Sequence, residues 1–179
     1  MSATTTYPVT PPDLPDVVSG NWIFFNAGTQ SNGDMYGAYV YVSDISSNIT
    51  TLVKDNHVYI SGGTISPSSF ISGGYAGASG NLSSHPPEAR FTARENSITI
   101  EGDSTVSTLV GGDVNIGRAQ TAYADASGNK ITIGDMVTVQ NNFRGGYANV
   151  SNSANAYLTA SDNTIILKEQ AKAGPEITG

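Results

Sequence analysis

The sequence predicts an all-β fold, a right-handed parallel β-helix (β-solenoid) of about five repeats of roughly 34 residues each. Three observations predict it. The pattern Asn-x-(Ile/Val)-x-(Ile/Phe/Leu) begins at Asn21, Asn56, Asn96, Asn129 and Asn163, with starts 35, 40, 33 and 34 residues apart. A second landmark, 15 to 17 residues after its Asn, reads Gly37-Ala38-Tyr39-Val40, Gly73-Gly74-Tyr75-Ala76, Gly111-Gly112-Asp113-Val114 and Gly145-Gly146-Tyr147-Ala148. The third is a run of small or apolar residues at every second position before the Asn: Thr51 and Val53, Phe91 and Ala93, Ala124 and Ala126, Leu158 and Ala160. Such alternation is the pattern of a strand with one covered face.

Composition agrees and excludes several classes of function. Charged residues make up 13% of the chain, about half the share usual in soluble domains, and Ser, Thr, Asn and Gly take their place. A net charge of -7 with scattered arginines argues against nucleic acid, whose phosphates need clustered cations. The chain has no cysteine, which rules out disulfides and thiolate metal sites. No apolar run approaches the roughly 20 residues of a membrane helix, and the first residues lack the basic-then-apolar layout of a signal peptide. If the protein is exported, the sequence is an excised piece of a longer one.

Taken in order, residues 1–20 contain Pro8, Pro11, Pro12 and Pro15 and read as an extended linker or N-terminal cap. The first repeat opens with Trp22-Ile23-Phe24-Phe25, apolar on both faces, where Trp22 and Phe24 could hold the preceding segment over an open end. Asn26 to Asp34 is turn chemistry, Met35 to Val42 a long strand, Ser43 to Asn48 a loop and Ile49 to Val53 the third strand. The next unit starts at Asn56. Asn96 follows Gly73 by 23 positions where the other units have 18 or 19, so the segment from Gly77 to Glu88 is a loop that leaves the stack. The third and fourth units are regular. The solenoid is expected to end at residue 167, with 168–179 a C-terminal tail or linker.

A unit of three short strands cannot bury its own apolar face, but stacked copies can. Ile98 and Ile100 are then expected to lie against Val58 and Ile60 on one side and Ile131 and Ile133 on the other. His57, Ser97, Lys130, Tyr59, Thr99 and Thr132 should face outward. The asparagines should form a ladder at the bend, bonding to the next copy or to nearby backbone. An alternative coil of about 17 residues would stack the Gly-Gly-Tyr strand directly on the Asn strand.

The unit Asn-x-Ile-x-Ile, a Gly turn, then Gly-Gly-Tyr-Ala resembles the repeats of bacterial autotransporter passenger domains. Those carry tandem Asn-x-Val-x-Ile-Ser-Gly-Gly and Tyr-Gly-Gly-Tyr segments. Asn56 to Tyr75 is the nearest match, through Ile60-Ser61-Gly62-Gly63, and the similarity spans residues 21–167. The resemblance implies an elongated passenger at the bacterial cell surface or outside it, anchored to the outer membrane by a C-terminal barrel beyond this sequence. It implies adhesion to a host-cell receptor or glycan, or self-association between bacteria, with no catalytic activity, no cofactor and no metal.

The candidate ligand-binding residues are Tyr39, Tyr75 and Tyr147, which hold one position of the unit, with Asp113 replacing Tyr in the third copy. Facing outward, this column offers aromatic surfaces for carbohydrate or protein contact. Facing inward, it is a stack of rings in the core. The acidic residue favours the outward arrangement, because a buried unpaired carboxylate is costly. The Gly77 to Glu88 loop, with His85, is a second candidate. The alternative function is a β-helix carbohydrate-active enzyme, a polysaccharide lyase or hydrolase, using Asp103, Asp135 or Glu88 in an exposed groove. Asp103 and Asp135 fall at near-equivalent turn positions, as periodic turns would place them. His57 and His85 lack a metal-ligand partner at a suitable spacing, and Gly111-Gly112-Asp113 alone does not make a calcium-binding roll. Thr99, Thr132 and Thr138 hint at a threonine array, but Tyr59 and Ile166 break its register.

Overall fold

The computed structural model describes residues 16–42, 47–78 and 88–178, and every regular element among them is a β-strand. The first coil contains β1 (Asp16–Ser19), β2 (Trp22–Phe25), β3 (Thr29–Gln30), β4 (Met35–Tyr36) and β5 (Tyr39–Val42). The second contains β6 (Ile49–Lys54), β7 (His57–Ile65) and β8 (Phe70–Ala78), and the third β9 (Glu88–Arg94), β10 (Ser97–Val106) and β11 (Thr108–Gly117). The fourth contains β12 (Thr121–Asp125), β13 (Lys130–Ile133), β14 (Thr138–Val139) and β15 (Phe143–Ser151). Strands β16 (Asn155–Thr159), β17 (Thr164–Leu167) and β18 (Ile177–Thr178) start a fifth. Because β18 stops after two residues, the chain makes about four turns rather than the five full repeats expected from the motif count.

The coils stack into three parallel sheets. The first runs β1-β6-β9-β12-β16, the second β17-β13-β10-β7-β2, and the third β18-β15-β11-β8 with β4 and β5. Ile98 pairs with Val58 on one side and Ile131 on the other, the contacts the repeat length requires. The narrower coil is overturned, since Asn-type strands pair only with Asn-type strands and Gly-Gly strands only with their own kind. Packing a strand on its own copy keeps side chains of one shape in one column, which two unlike half-repeats could not do.

The solenoid is also wider than residues 21–167. Residues 1–15 lie outside the described residues, but Asp16–Ser19 is no linker: β1 pairs with β6 in register, Val18 opposite Val53. Lys168 onward is no loose tail either. Lys172 bridges to Thr138, and Ile177 pairs with Phe143. Backbone pairing continues the coil there after the side-chain pattern has faded.

The interior is two apolar cores divided by a polar seam. On one side Ile60, Ile71, Ile98, Ile100, Leu109, Ile131, Ile133 and Phe143 are fully buried. On the other the side chains are smaller, with Phe91 among Val53, Ala76, Ala93, Val114, Ala122 and Ala124. Each buried Ile contributes about 1.5–3 kcal/mol of transfer free energy.

The seam is the asparagine ladder. Nδ2 of Asn21 donates to Oδ1 of Asn56 at 2.8 Å, Asn56 to Asn96 at 3.0 Å, Asn96 to Asn129 at 3.1 Å and Asn129 to Asn163 at 3.1 Å. Each Oδ1 also accepts the backbone N–H of the Asn one coil earlier, for example Asn56 N to Asn96 Oδ1 at 3.1 Å. The second hydrogen of the Asn56, Asn96 and Asn129 amides goes to a backbone carbonyl, as in Asn96 Nδ2 to Val53 O and Asn129 Nδ2 to Ala93 O. Asn56, Asn96 and Asn129 are 0% exposed, yet their amides are satisfied, which removes the usual penalty for burying a polar group. The residue before each Asn takes the left-handed conformation, with φ of 74° at Gly20, 54° at Asp55, 57° at Glu95, 68° at Gly128 and 57° at Asp162. That residue turns the chain from the first sheet into the second.

The Gly-Gly pairs lie across the interior from this ladder. A Cβ on Gly74 would come 2.7 Å from Asn96 Oδ1, and one on Gly112 would run into the Asn129 amide. A Cβ on Gly111 would run into the carbonyl of Gly145 one coil on. The two landmarks keep phase because they touch. The same pair shifts the strand's alternation: Leu109 and Val114 are both fully buried although five residues apart, which an uninterrupted period of two would forbid. The residues on either side of Gly111 and Gly112 therefore turn their outer faces to solvent in different phase.

Candidate functional site

The tyrosine column lies on the outer face of the third sheet. Tyr39 pairs with Tyr75, Tyr75 with Asp113 and Asp113 with Tyr147, while their neighbours Ala38, Ala76 and Val114 point into the core. The rings of Tyr39 and Tyr75 stack with centroids 4.8 Å apart and planes 9° from parallel, one strand spacing. Gly77 makes room for this, since any Cβ there would meet the Tyr75 ring at 2.5–2.7 Å. The inward stack of rings is thus not what the chain forms.

Three further aromatics join the column. Tyr36 packs against Tyr39 at 5.0 Å, against Tyr75 at 5.8 Å and against Phe70 at 5.9 Å, and Tyr41 stacks on Tyr39 at 6.3 Å. Tyr36 Oη donates to Asp34 Oδ2, and Asp34 Oδ1 accepts the N–H of Phe70, which ties the first coil to the second. Burial, then the Asp34 carboxylate, holds the Tyr36 hydroxyl above the usual phenol range. Burial and then the Asp113 carboxylate do the same for Tyr75. These phenols remain neutral hydrogen-bonding groups at physiological pH.

Asp113 interrupts the column. It is only 7% exposed, and its Oδ1 is enclosed without a hydrogen-bond partner. Burial pushes its carboxyl up to about 7 in spite of the opposing pull of Arg144. The Arg144 guanidinium lies over the Tyr147 ring, 4.8 Å from its centroid. Beside Asp113 is a cleft of about 440 Å³ bordered by Phe70, Val110, Asn142, Arg144 and Tyr147. Arg144 pairs with Val110, and Val110 with Ser72, so Arg144 and Asp113 stand in adjacent columns of one face.

The remaining candidates do not join this site. His85 lies outside the described residues, as does the segment 79–87 of the inserted loop. His57 Nδ1 is 2.7 Å from Ser97 Oγ, and its ring is 4.2 Å from that of Trp22. Asp103 is exposed at a register irregularity within β10 and Asp135 is exposed in a turn after β13, both of the second sheet, whereas Glu88 starts a strand of the first sheet and binds Arg90. The three acids of the enzyme alternative therefore do not share one groove. Thr99 and Thr132 are register partners, flanked by Tyr59 and Ile166, while Thr138 pairs with Thr105 elsewhere. Among the described residues no three His, Asp or Glu side chains gather as metal ligands. Trp22 and Phe24 face outward, 57% and 62% exposed, beside His57 and Tyr59, and residues 1–15, most of the segment they could hold over the first coil's open end, lie outside the described residues.

Sequence reasoning missed Arg144, Phe70, Tyr36 and Tyr41. The signal was present: Tyr36, Ser72, Val110 and Arg144 occupy one register position just before the Gly-Gly pair. The shift in alternation at the glycines hides that this position shares an outer face with the tyrosines. The fold defines the chain as a parallel β-solenoid with an aromatic cluster on the outer face of its third sheet. No family model, curated protein or solved structure matches the chain.

Proposed function

We propose that this chain is a surface-exposed passenger segment of an autotransporter-like adhesin that attaches bacteria to host cells, to glycans or to one another. The observation that carries the reading is the aromatic face of the third sheet, where Tyr36, Tyr39, Tyr41, Phe70 and Tyr75 gather in contact with one another. A parallel stack holds such groups at fixed spacing without ordering a loop, and Tyr is a residue type enriched where surfaces recognise partners. The repeat motif, Asn-x-Val-x-Ile-Ser-Gly-Gly at its nearest, supports the passenger assignment and with it a place at the outer membrane surface.

The test is adhesion by the isolated chain. Beads coated with it should adhere to cultured epithelial cells or aggregate, and Tyr39→Ser with Tyr75→Ser should lower attachment several-fold while the variant still unfolds cooperatively. Attachment equal to that of uncoated beads, or unchanged in the double variant, would rule the reading out.

A further inference from the structure

We propose that the cleft beside Asp113 binds a neutral pyranose sugar, with the Asp113 carboxylate accepting ligand hydroxyls, Arg144 donating to ligand oxygens, and the Phe70 and Tyr147 rings meeting ligand C–H faces. The proposal deepens the adhesive reading above and rests on it for the source of the sugar.

A break in the repeat marks the place. Tyr39, Tyr75 and Tyr147 occupy one register position, and only the third coil places an acid there. A fourth tyrosine would continue the stack and add ring-on-ring contact. Asp113 instead is more than nine-tenths buried, and its Oδ1 has no partner within the chain, an arrangement that costs stability. Asp113 borders the cleft, so a ligand seated there meets a carboxylate for which the chain itself supplies no donor at Oδ1.

The surroundings narrow the ligand class. The cleft, about 440 Å³, falls in the range of small-molecule sites, about 300–1,000 Å³. One acid and one guanidinium border it, and among the described residues no ion pair joins them. A cationic ligand drawn to Asp113 meets Arg144, and an anionic ligand drawn to Arg144 meets Asp113. A wholly apolar ligand leaves the carboxylate as unpartnered as before. A neutral ligand rich in hydroxyls satisfies both, because each hydroxyl donates and accepts. Asn142 adds a polar margin: its Nδ2 donates to Glu176 Oε2 at 2.8 Å, and its carbonyl oxygen is an acceptor. Phe70 and Tyr147 supply apolar surface at the border.

The experiment is an NMR titration of the whole chain with methyl glycosides of glucose, galactose, mannose and N-acetylglucosamine, with glucosamine and glucuronate as charged controls. At least one neutral glycoside should shift the ring signals of Phe70 and Tyr147 with a dissociation constant of roughly 1 mM, as a shallow polar site gives. Asp113→Asn should weaken it by about tenfold or more, the effect of losing hydrogen bonds to a charged group. Tyr123→Ser, on the first sheet, should leave it unchanged. The proposal is overturned if no neutral glycoside shifts those rings, if Asp113→Asn binds as tightly as the wild type, or if only a charged sugar binds. Bead adhesion run in parallel separates this from the adhesive reading. Beads that adhere equally with the wild-type and Asp113→Asn chains, beside glycoside binding that is absent or independent of Asp113, refute the cleft and leave adhesion standing. Beads that never adhere, beside glycoside binding that depends on Asp113, refute adhesion and leave the cleft.

Discussion

Asp113 should make the stability of the solenoid depend on pH in a sense opposite to most carboxylates. Burial pushes its carboxyl from 3.8 to about 7 in the folded chain. Between those two values the native state holds a proton that the unfolded state has released, so stability falls as pH rises through the window. Below the lower value both states are protonated and the penalty is absent; above the upper value it is complete. Linkage over this interval gives about 4 kcal/mol at full strength, and water reaching the cleft reduces it to about 2–4 kcal/mol. Urea unfolding followed by circular dichroism at pH 4.5 and pH 8, on wild type and Asp113→Asn, measures it as a difference between the two chains. Groups other than Asp113 titrate in both and cancel. Because pH 4.5 already lies inside the window, the variant should gain about 2–3 kcal/mol over the wild type on going from the acid to the alkaline condition. A gap between the chains that stays the same at both pH values would falsify the account of Asp113 as a desolvated acid. Asp113→Tyr carries the reasoning one step further, since it completes the column between Tyr75 and Tyr147. It should be more stable than the wild type at pH 8, by the removed penalty plus about 0.5–1.5 kcal/mol for each new pair of stacked rings.

Two further substitutions test the scaffold. Asn96→Ala deletes four hydrogen bonds and takes the acceptor from the N–H and from one amide hydrogen of Asn56, so it should cost about 3–5 kcal/mol in urea unfolding, against about 1 kcal/mol or less for Asn21→Ala, which removes one bond from an exposed residue; equal costs would show the ladder contributes nothing beyond local turns. Glu95→Gly relieves a left-handed backbone at φ 57° and should stabilise by about 0.5–1 kcal/mol, a rise in urea midpoint at unchanged slope; a fall would mean that the Glu95 side chain contributes more than the bend costs.

The stack was legible because its interior tolerates one residue per column. Asn56, Asn96 and Asn129 must each accept from one coil and donate to the next, and Gly74 and Gly112 must stay bare because the amides lie where their Cβ atoms would be. Those demands repeat at every turn and so write a period into the sequence. Beyond them the signal weakens for physical reasons. The last coil is held by bonds such as Val139 N–H to Lys172 O at 2.9 Å, which need no particular side chain, and residues 168–178 therefore read as a tail. Arg144 escaped notice because Gly145 and Gly146 shift the alternation, so that its outward direction cannot be counted from Tyr147 in steps of two. Trp22 and Phe24 read as strand residues apolar on both faces, and nothing in their types says that the outer face stays open.

The same division tells where function can be written on such a chain. Inward columns are fixed by neighbours above and below, and a departure there costs the whole stack. Outward columns carry no such demand, so Tyr59, Thr99, Thr132 and Ile166 can follow one another in a single register line. Most outward departures are therefore uninformative, because nothing opposes them. Asp113 differs in that it departs outward and is still opposed: the residue is enclosed, its Oδ1 is unpartnered, and tyrosine is accommodated at the same position in three other coils. A substitution that lowers the stability of its own scaffold, at a position where the repeat already supplies a better-packed residue, is the kind of cost retained at binding sites. That cost, and not the acid's mere presence in a repeat, is why this coil is the one proposed to meet a ligand.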